Sequence, residues 1–230
     1  LLQDAFNLES MSGLVRFVKK VIKGTFLVEL IGALGYMTVF IPRFGLKGIW
    51  ISVFNSISAF CNAGIDIIAE DSLYQFATNP VINLITCTLI ILGGIGYIVW
   101  WDVLQVLGNS KRKWYRRLRD LSLHSKITIS ATLILIVSGA VATFIFEYNN
   151  PLTIKDMNLF DKIQVSVFQS VTTRTAGFFT IPQQNLTAPT TVISLILMFI
   201  GGSPVGTAGG VKTVTVAVLL ATAFATVKNQ

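Results

Sequence analysis

Two segments of this chain end in a polar residue followed by Ala-Gly, Asn62-Ala63-Gly64 and Thr175-Ala176-Gly177, and the residues leading into them repeat. Ser52-Val53-Phe54-Asn55-Ser56-Ile57 is echoed by Ser166-Val167-Phe168-Gln169-Ser170-Val171. The copies differ by one residue, since Ser56 lies eight positions before Gly64 and Ser170 lies seven before Gly177. The chemistry on offer here belongs to the backbone. A short helix that dips inward and returns as an extended Ala-Gly strand points carbonyl oxygens at a passing cation, and glycine permits the required φ angles with no Cβ in the way. A polar loop closed by a C-cap glycine explains either copy alone. It does not explain the duplication, which favours a pair of pore loops.

A second stretch rich in chemistry-bearing backbone is Gly201-Gly202-Ser203-Pro204-Val205-Gly206-Thr207-Ala208-Gly209-Gly210. Its five glycines and one proline remove helical stability. Residues 206–213, Gly-Thr-Ala-Gly-Gly-Val-Lys-Thr, invite comparison with a phosphate loop, and a membrane-embedded phosphate-binding enzyme is the rival function from another class. A phosphate loop needs Gly directly before Lys, where Val211 stands, and a preceding strand, where 191–200 reads as a membrane helix. A flexible plug with Lys212 beside it is the better account.

Other chemistry is thin. His124 is the only histidine and has no cysteine or acid at metal-ligand spacing. Cys61 and Cys87 imply neither a disulfide framework nor a nucleophile. No Ser/His/Asp or paired-carboxylate arrangement is present, so the expectation is no catalytic residue and no organic cofactor.

The elements that must position these segments are apolar. The chain is 53% hydrophobic and 13% charged, with a mean hydropathy of +0.69, which places it among membrane proteins. Residues 25–41 form the first span, with Glu29 inside it; a partner lysine on another helix is the plainer reading of that acid. Arg16, Lys19, Lys20 and Lys23 precede this span and put its start in the cytoplasm. Pro42 ends it on the outer side. The first dip follows at 50–66, then an acidic patch of Asp66, Glu70 and Asp71. A second span runs from Pro80 to about Leu107, where Gly93-Gly94-Ile95-Gly96 suits close helix packing and Trp100 and Trp101 suit an interfacial belt.

Lys111, Arg112, Lys113, Arg116, Arg117 and Arg119 make residues 109–123 a basic cytoplasmic loop; most of the net charge of +7 comes from this loop and the first cluster. Anionic lipid headgroups or an acidic cytosolic partner suit it better than nucleic acid. Residues 126–146 are the third span, and the second dip runs from Asp161 to Phe178. Arg174 would repel a cation it faced, so a structural salt bridge behind the loop is expected. The last stretch, 187–227, has about 40 residues, about 60 Å of helix. That is twice the hydrocarbon thickness, so it breaks at 201–210. The fold class is thus an all-α polytopic membrane protein of repeated helix, re-entrant pore loop, helix units, 13–108 and 124–230, with a final broken transmembrane helix. Leu1 to Ser12 carries no initiator Met or signal-peptide layout, and the sequence reads as beginning inside a longer gene product.

The residues 56–64, 169–178 and 198–213 together resemble the Trk/Ktr/HKT potassium transporters, and in particular their Ktr-type bacterial branch. The motifs span nearly the whole chain. In that family four helix, pore-loop, helix units surround one ion path, and this chain resembles the second and third. The resemblance implies that Gly64 and Gly177 are filter glycines, with carbonyls of Asn62, Ala63, Thr175 and Ala176 lining a K⁺ filter, Na⁺ being the alternative ion. It implies that Gly201, Gly202, Ser203, Gly206, Thr207, Gly209 and Gly210 belong to an intramembrane gating loop with Lys212 at its cytoplasmic end. It also implies a homodimer in the bacterial plasma membrane, working with a cytosolic ring of nucleotide-binding regulatory subunits. Two departures stand out: Val205 where a small residue, usually Gly, is expected, and Ile65 where an aromatic residue is common.

Overall fold

The computed structural model describes residues 11–68, 72–109 and 119–228. Glu70, Asp71, Lys111, Arg112, Lys113, Arg116 and Arg117 lie outside the described residues. Among the described residues eight α-helices follow in order: α1 (Met11–Phe44), α2 (Lys47–Phe60), α3 (Pro80–Ile95), α4 (Tyr97–Asn109), α5 (Leu123–Glu147), α6 (Leu159–Thr172), α7 (Ala188–Phe199) and α8 (Thr213–Val227). One parallel bridge, Ile200 to Val211, accompanies them.

Helix length sorts these elements. The 34 residues of α1 and 25 of α5 suffice to cross about 30 Å of hydrocarbon. The 14-residue α2 and α6 are about 21 Å each and do not. Capping fixes where several helices start. Asn79 accepts from Val81 and Ile82 N–H ahead of a proline at the first turn of α3, Asn158 accepts from Asp161 N–H at α6, and Ser122 accepts from Ser125 N–H at α5.

Packing is inverted relative to a protein in water. On α5 the buried positions are Ser125, Thr128, Thr132, Gly139, Thr143 and Glu147, a stripe at three- and four-residue spacing. The same helix exposes Leu133, Ile134, Val137, Val141 and Ile145. A polar seam within and an apolar face without is what hydrocarbon solvent selects. The interior also holds aromatics: Tyr36, Phe40, Phe60, Phe168 and Phe178 are fully buried, with Tyr36 and Phe40 stacked at 5.4 Å.

The two short helices are fastened to their long neighbours in the same way. Ser56 Oγ donates to Glu29 O of α1 at 2.6 Å, and Ser170 Oγ donates to Ile136 O of α5 at 2.8 Å. Three residues beyond each acceptor stands a glycine, Gly32 or Gly139, at the point of closest approach. A Cβ on Gly32 would lie 2.5 Å from Ser56 Oγ and 2.8 Å from Leu89 Cδ1; one on Gly139 would press on Ser170 Oγ and lie 2.6 Å from Leu197 Cδ1. The repeat therefore extends beyond the Ser-to-Gly segments, to Gly32 with Gly139 and Leu89 with Leu197.

Two expectations are corrected here. Pro42 lies within α1, which continues to Phe44 and stops at Gly45, whose φ of +59° turns the chain. The span from Pro80 is not continuous: α3 and α4 meet at 99°, hinged on Gly96 with φ +91°. Trp100, just past the hinge, packs on Phe60 at 5.6 Å and donates Nε1–H to Leu92 O.

Gly139→Val forces Ser170 and Leu197 aside. Overpacking of this kind costs about 1–3 kcal/mol, so the thermal unfolding midpoint in detergent falls. A midpoint equal to the parent's shows that this crossing yields without cost.

Candidate functional site: two Ala-Gly segments and a glycine-rich break

Each short helix hands over to its Ala-Gly segment through one hydroxyl. Ser58 Oγ donates to Ile65 O at 2.5 Å and accepts from Ile65 N–H; Thr172 Oγ1 donates to Phe178 O at 2.5 Å. Both acceptors directly follow the glycine, so the two hydroxyls bracket equivalent segments. The one-residue difference between the copies is absorbed inside this bracket. Ala63 N–H reaches back five residues to Ser58 O, whereas Ala176 N–H reaches four to Thr172 O.

The backbones match as well. Asn62 and Gly64 have φ of +52° and +67°, Thr175 and Gly177 have +69° and +93°, and neither intervening alanine has a positive φ. Left-handed φ is routine for glycine and tolerated by Asn, but it is uncommon at a β-branched threonine. The segments meet backbone to backbone: a Cβ on Gly64 would lie 2.6 Å from Gly177 Cα, and one on Gly177 would lie 3.1 Å from Gly64 Cα. The six residues Asn62, Ala63, Gly64, Thr175, Ala176 and Gly177 are thus brought into one cluster.

The chain between α7 and α8 closes against that cluster. Asn62 Nδ2 donates to Thr207 Oγ1 at 2.6 Å, and Thr207 Oγ1 donates to Phe60 O at 2.8 Å. On the other copy, Gly209 N–H donates to Thr175 Oγ1 at 2.9 Å. The equivalent polar residues of the two copies therefore each hold one point of the loop. The hinge in the second span holds two more, because Gly94 O accepts from Ser203 N–H at 2.8 Å and Gly93 O from Thr207 N–H at 3.0 Å. Tyr97 N–H, released from helical pairing by the bend, donates to Val205 O. Ser203 Oγ meets Thr128 Oγ1 on α5 at 3.1 Å, Lys212 Nζ donates to Ala208 O, and Gly202 O accepts from Thr213 N–H. Gly201 and Gly210 touch, since a Cβ on Gly210 would lie 2.9 Å from Gly201 Cα. Gly206 packs on Gly93 O and Gly94 O.

Three sequence expectations meet this geometry differently. Among the described residues Arg174 makes no salt bridge: buried at 7% exposure, it donates Nη2–H to Gly201 O at 3.1 Å, while its Nε–H has no partner among them. Glu29 pairs with no lysine among the described residues, and its Oε1 accepts from Cys61 Sγ at 4.0 Å. The phosphate-loop reading loses most of its donors, because Gly206, Thr207, Gly209, Val211 and Thr213 N–H all donate to acceptors within the chain. Val205, the departure noted above, has φ +62°. That conformation is a rarity for a β-branched residue and costs of order 1–3 kcal/mol. The carbonyls of Phe60, Gly93 and Gly94 are the site members that sequence reasoning missed. Their signal was the glycine density at 93–96, the same signal that marks 201–210.

Residues 5–230 match the TrkH family, described as cation transport protein. The chain is 38% identical over its whole length to the potassium/sodium uptake protein NtpJ of Enterococcus hirae, of which it covers 49%. It is 36% identical, again over its whole length, to Ktr system potassium uptake protein B of Bacillus subtilis, of which it covers 50%. The chain thus spans about half the length of these relatives. Its fold is similar to that of the potassium transporter TrkH from Vibrio parahaemolyticus, with a TM-score of 0.67 at 19% identity over 92% of this chain and 42% of that one. With apolar helices long enough to cross a bilayer, it is a multi-pass plasma-membrane protein, and it belongs to the TrkH family of cation transport proteins.

Proposed function

We propose that this chain carries part of a monovalent-cation pathway, with Asn62, Ala63, Gly64, Thr175, Ala176 and Gly177 as two of its selectivity segments and 201–210 as its gate. The observation that carries the reading is the meeting of two equivalent Ala-Gly backbones whose φ signs alternate. Alternation lets successive carbonyls face one side, where a β-strand would turn every second one away, and a row of carbonyls can replace the hydration shell of K⁺. The ion is K⁺, with Na⁺ as the alternative. The two relatives named for potassium and for potassium/sodium uptake support that choice.

In this reading 13–108 and 124–230 are two helix, pore-loop, helix units joined by the cytoplasmic loop 109–123. The remaining units of the pathway are supplied outside this sequence, and the whole acts as a homodimer in a bacterial plasma membrane with a cytosolic nucleotide-binding ring. Any nucleotide belongs to that ring. Gating follows from the loop's bonds: Thr207 and Gly209 tie it to both selectivity segments, so flux requires those two ties and the Gly93 and Gly94 contacts to break together.

The test is ⁸⁶Rb⁺ uptake by cells lacking their own K⁺ uptake and expressing the full-length protein. Gly177→Ser places a Cβ at a residue with φ +93°, 3.1 Å from Gly64 Cα, and tilts the adjoining carbonyls. The K⁺ over Na⁺ ratio falls by about tenfold or more, as expected where about 1.4 kcal/mol of coordination is lost; an unchanged ratio refutes the filter assignment. Deleting residues 205–208 removes the Thr207 tie and raises uptake in a variant expressed at parental levels. Equal or lower uptake refutes the gate.

A further inference from the structure

A cavity of about 640 Å³ lies between the cytoplasmic half of α1 and the α3–α4 hinge, away from the Ala-Gly cluster. Its size is within the roughly 300–1,000 Å³ of small-ligand sites. The wall is apolar: Leu27, Leu92, Val99 and Leu104 line it, with the Trp100 and Trp101 indoles. Gly24 lies beside both indoles, where a Cβ would be in ordinary van der Waals contact, 3.6 Å from Trp100 Cζ3 and 3.9 Å from Trp101 Cη2. Among the described residues the charged side chains on its lining are Lys20 and Lys23, one helical turn apart on α1, and none of the described lining residues is an acid. Lys20 Nζ lies 5.9 Å over the Trp101 ring.

An apolar wall of this kind favours a hydrocarbon occupant over water. Its two cations stand at the basic end of α1, which the positive-inside bias assigns to the cytoplasmic leaflet, where anionic lipids reside. Tryptophan is the side chain that favours the headgroup boundary. We infer that this cavity binds an anionic diacyl phospholipid of the cytoplasmic leaflet, with an acyl chain along the Trp100 and Trp101 wall and the phosphate between Lys20 and Lys23. The same Trp100 packs on Phe60, whose carbonyl receives Thr207, so the bound chain sits one residue away from the loop's anchorage.

The two indoles make the site directly observable. Full-length protein in which every tryptophan other than Trp100 and Trp101 is replaced by Phe is reconstituted with increasing mole fractions of chain-brominated phosphatidylglycerol or chain-brominated phosphatidylcholine, and quenching is followed. Each lysine near a membrane surface strengthens anionic lipid binding by about fivefold, so half-quenching by the glycerol lipid occurs at a mole fraction roughly 25-fold lower than by the choline lipid. In the Lys20→Gln/Lys23→Gln variant, whose altered side chains are exposed and leave the core intact, the two lipids quench alike. A preference below about threefold, or one that survives the double substitution, overturns the proposal. So does an absence of quenching by either lipid, which means that another protein segment fills the cavity.

Discussion

Inside hydrocarbon an N–H or C=O group without a partner costs several kcal/mol, and the centre of this chain consists of groups that helices have let go. The bend at Gly96 frees the carbonyls of Gly93 and Gly94, and the break after α7 frees the amides that answer them. Two irregular segments far apart in sequence complete each other's hydrogen bonding. The end of α2 joins the same account through Phe60 O, which takes the Thr207 hydroxyl. Each defect is tolerable only beside the other. This explains why the glycines at 93–96 and 201–210 lie in mutual contact: a Cβ on Gly202 would lie 2.8 Å from Gly94 O, and one on Gly206 would lie 2.9 Å from both Gly93 O and Gly94 O.

Around that centre the duplicated units solve one packing problem twice. A long helix, a short one and a third meet where a glycine, a serine and a leucine coincide, and the serine hydroxyl returns to the long helix's backbone. Neither hydroxyl is left dry, and neither crossing needs a charge. The single-residue mismatch between copies is confined to one turn of chain before the alanine, so both glycines still arrive at the same place.

The sequence disclosed the features that depend on composition and identity. The repeat was readable because Ser56 and Ser170, with Gly64 and Gly177, keep residue types whose roles are backbone roles. The break at 201–210 was readable because five glycines and a proline cannot sustain a membrane helix. The hinge at Gly96 was hidden: apolar residues continue on both sides, and hydropathy measures solvent preference, not direction. Pro42 misled for a related reason, since one missing amide bond is tolerated near a helix end and only Gly45 supplies the turn. For Arg174 the expectation of a carboxylate partner followed from charge alone. The structure gives it the Gly201 carbonyl, a partner that no residue type announces.

The side chains of Asn62 and Thr175 reach the 201–210 loop, and their own backbones form the paired Ala-Gly segments. Two demands therefore fall on each position: a left-handed φ, and a polar group of the right reach. Few residues meet both, and a change at either is felt at Thr207 or Gly209, more than thirty residues away in sequence. Heredity should treat these four positions as one character. A lineage altering either paired segment must alter its loop in step, or pass through an ancestor in which a polar group of the tie is left unpaired.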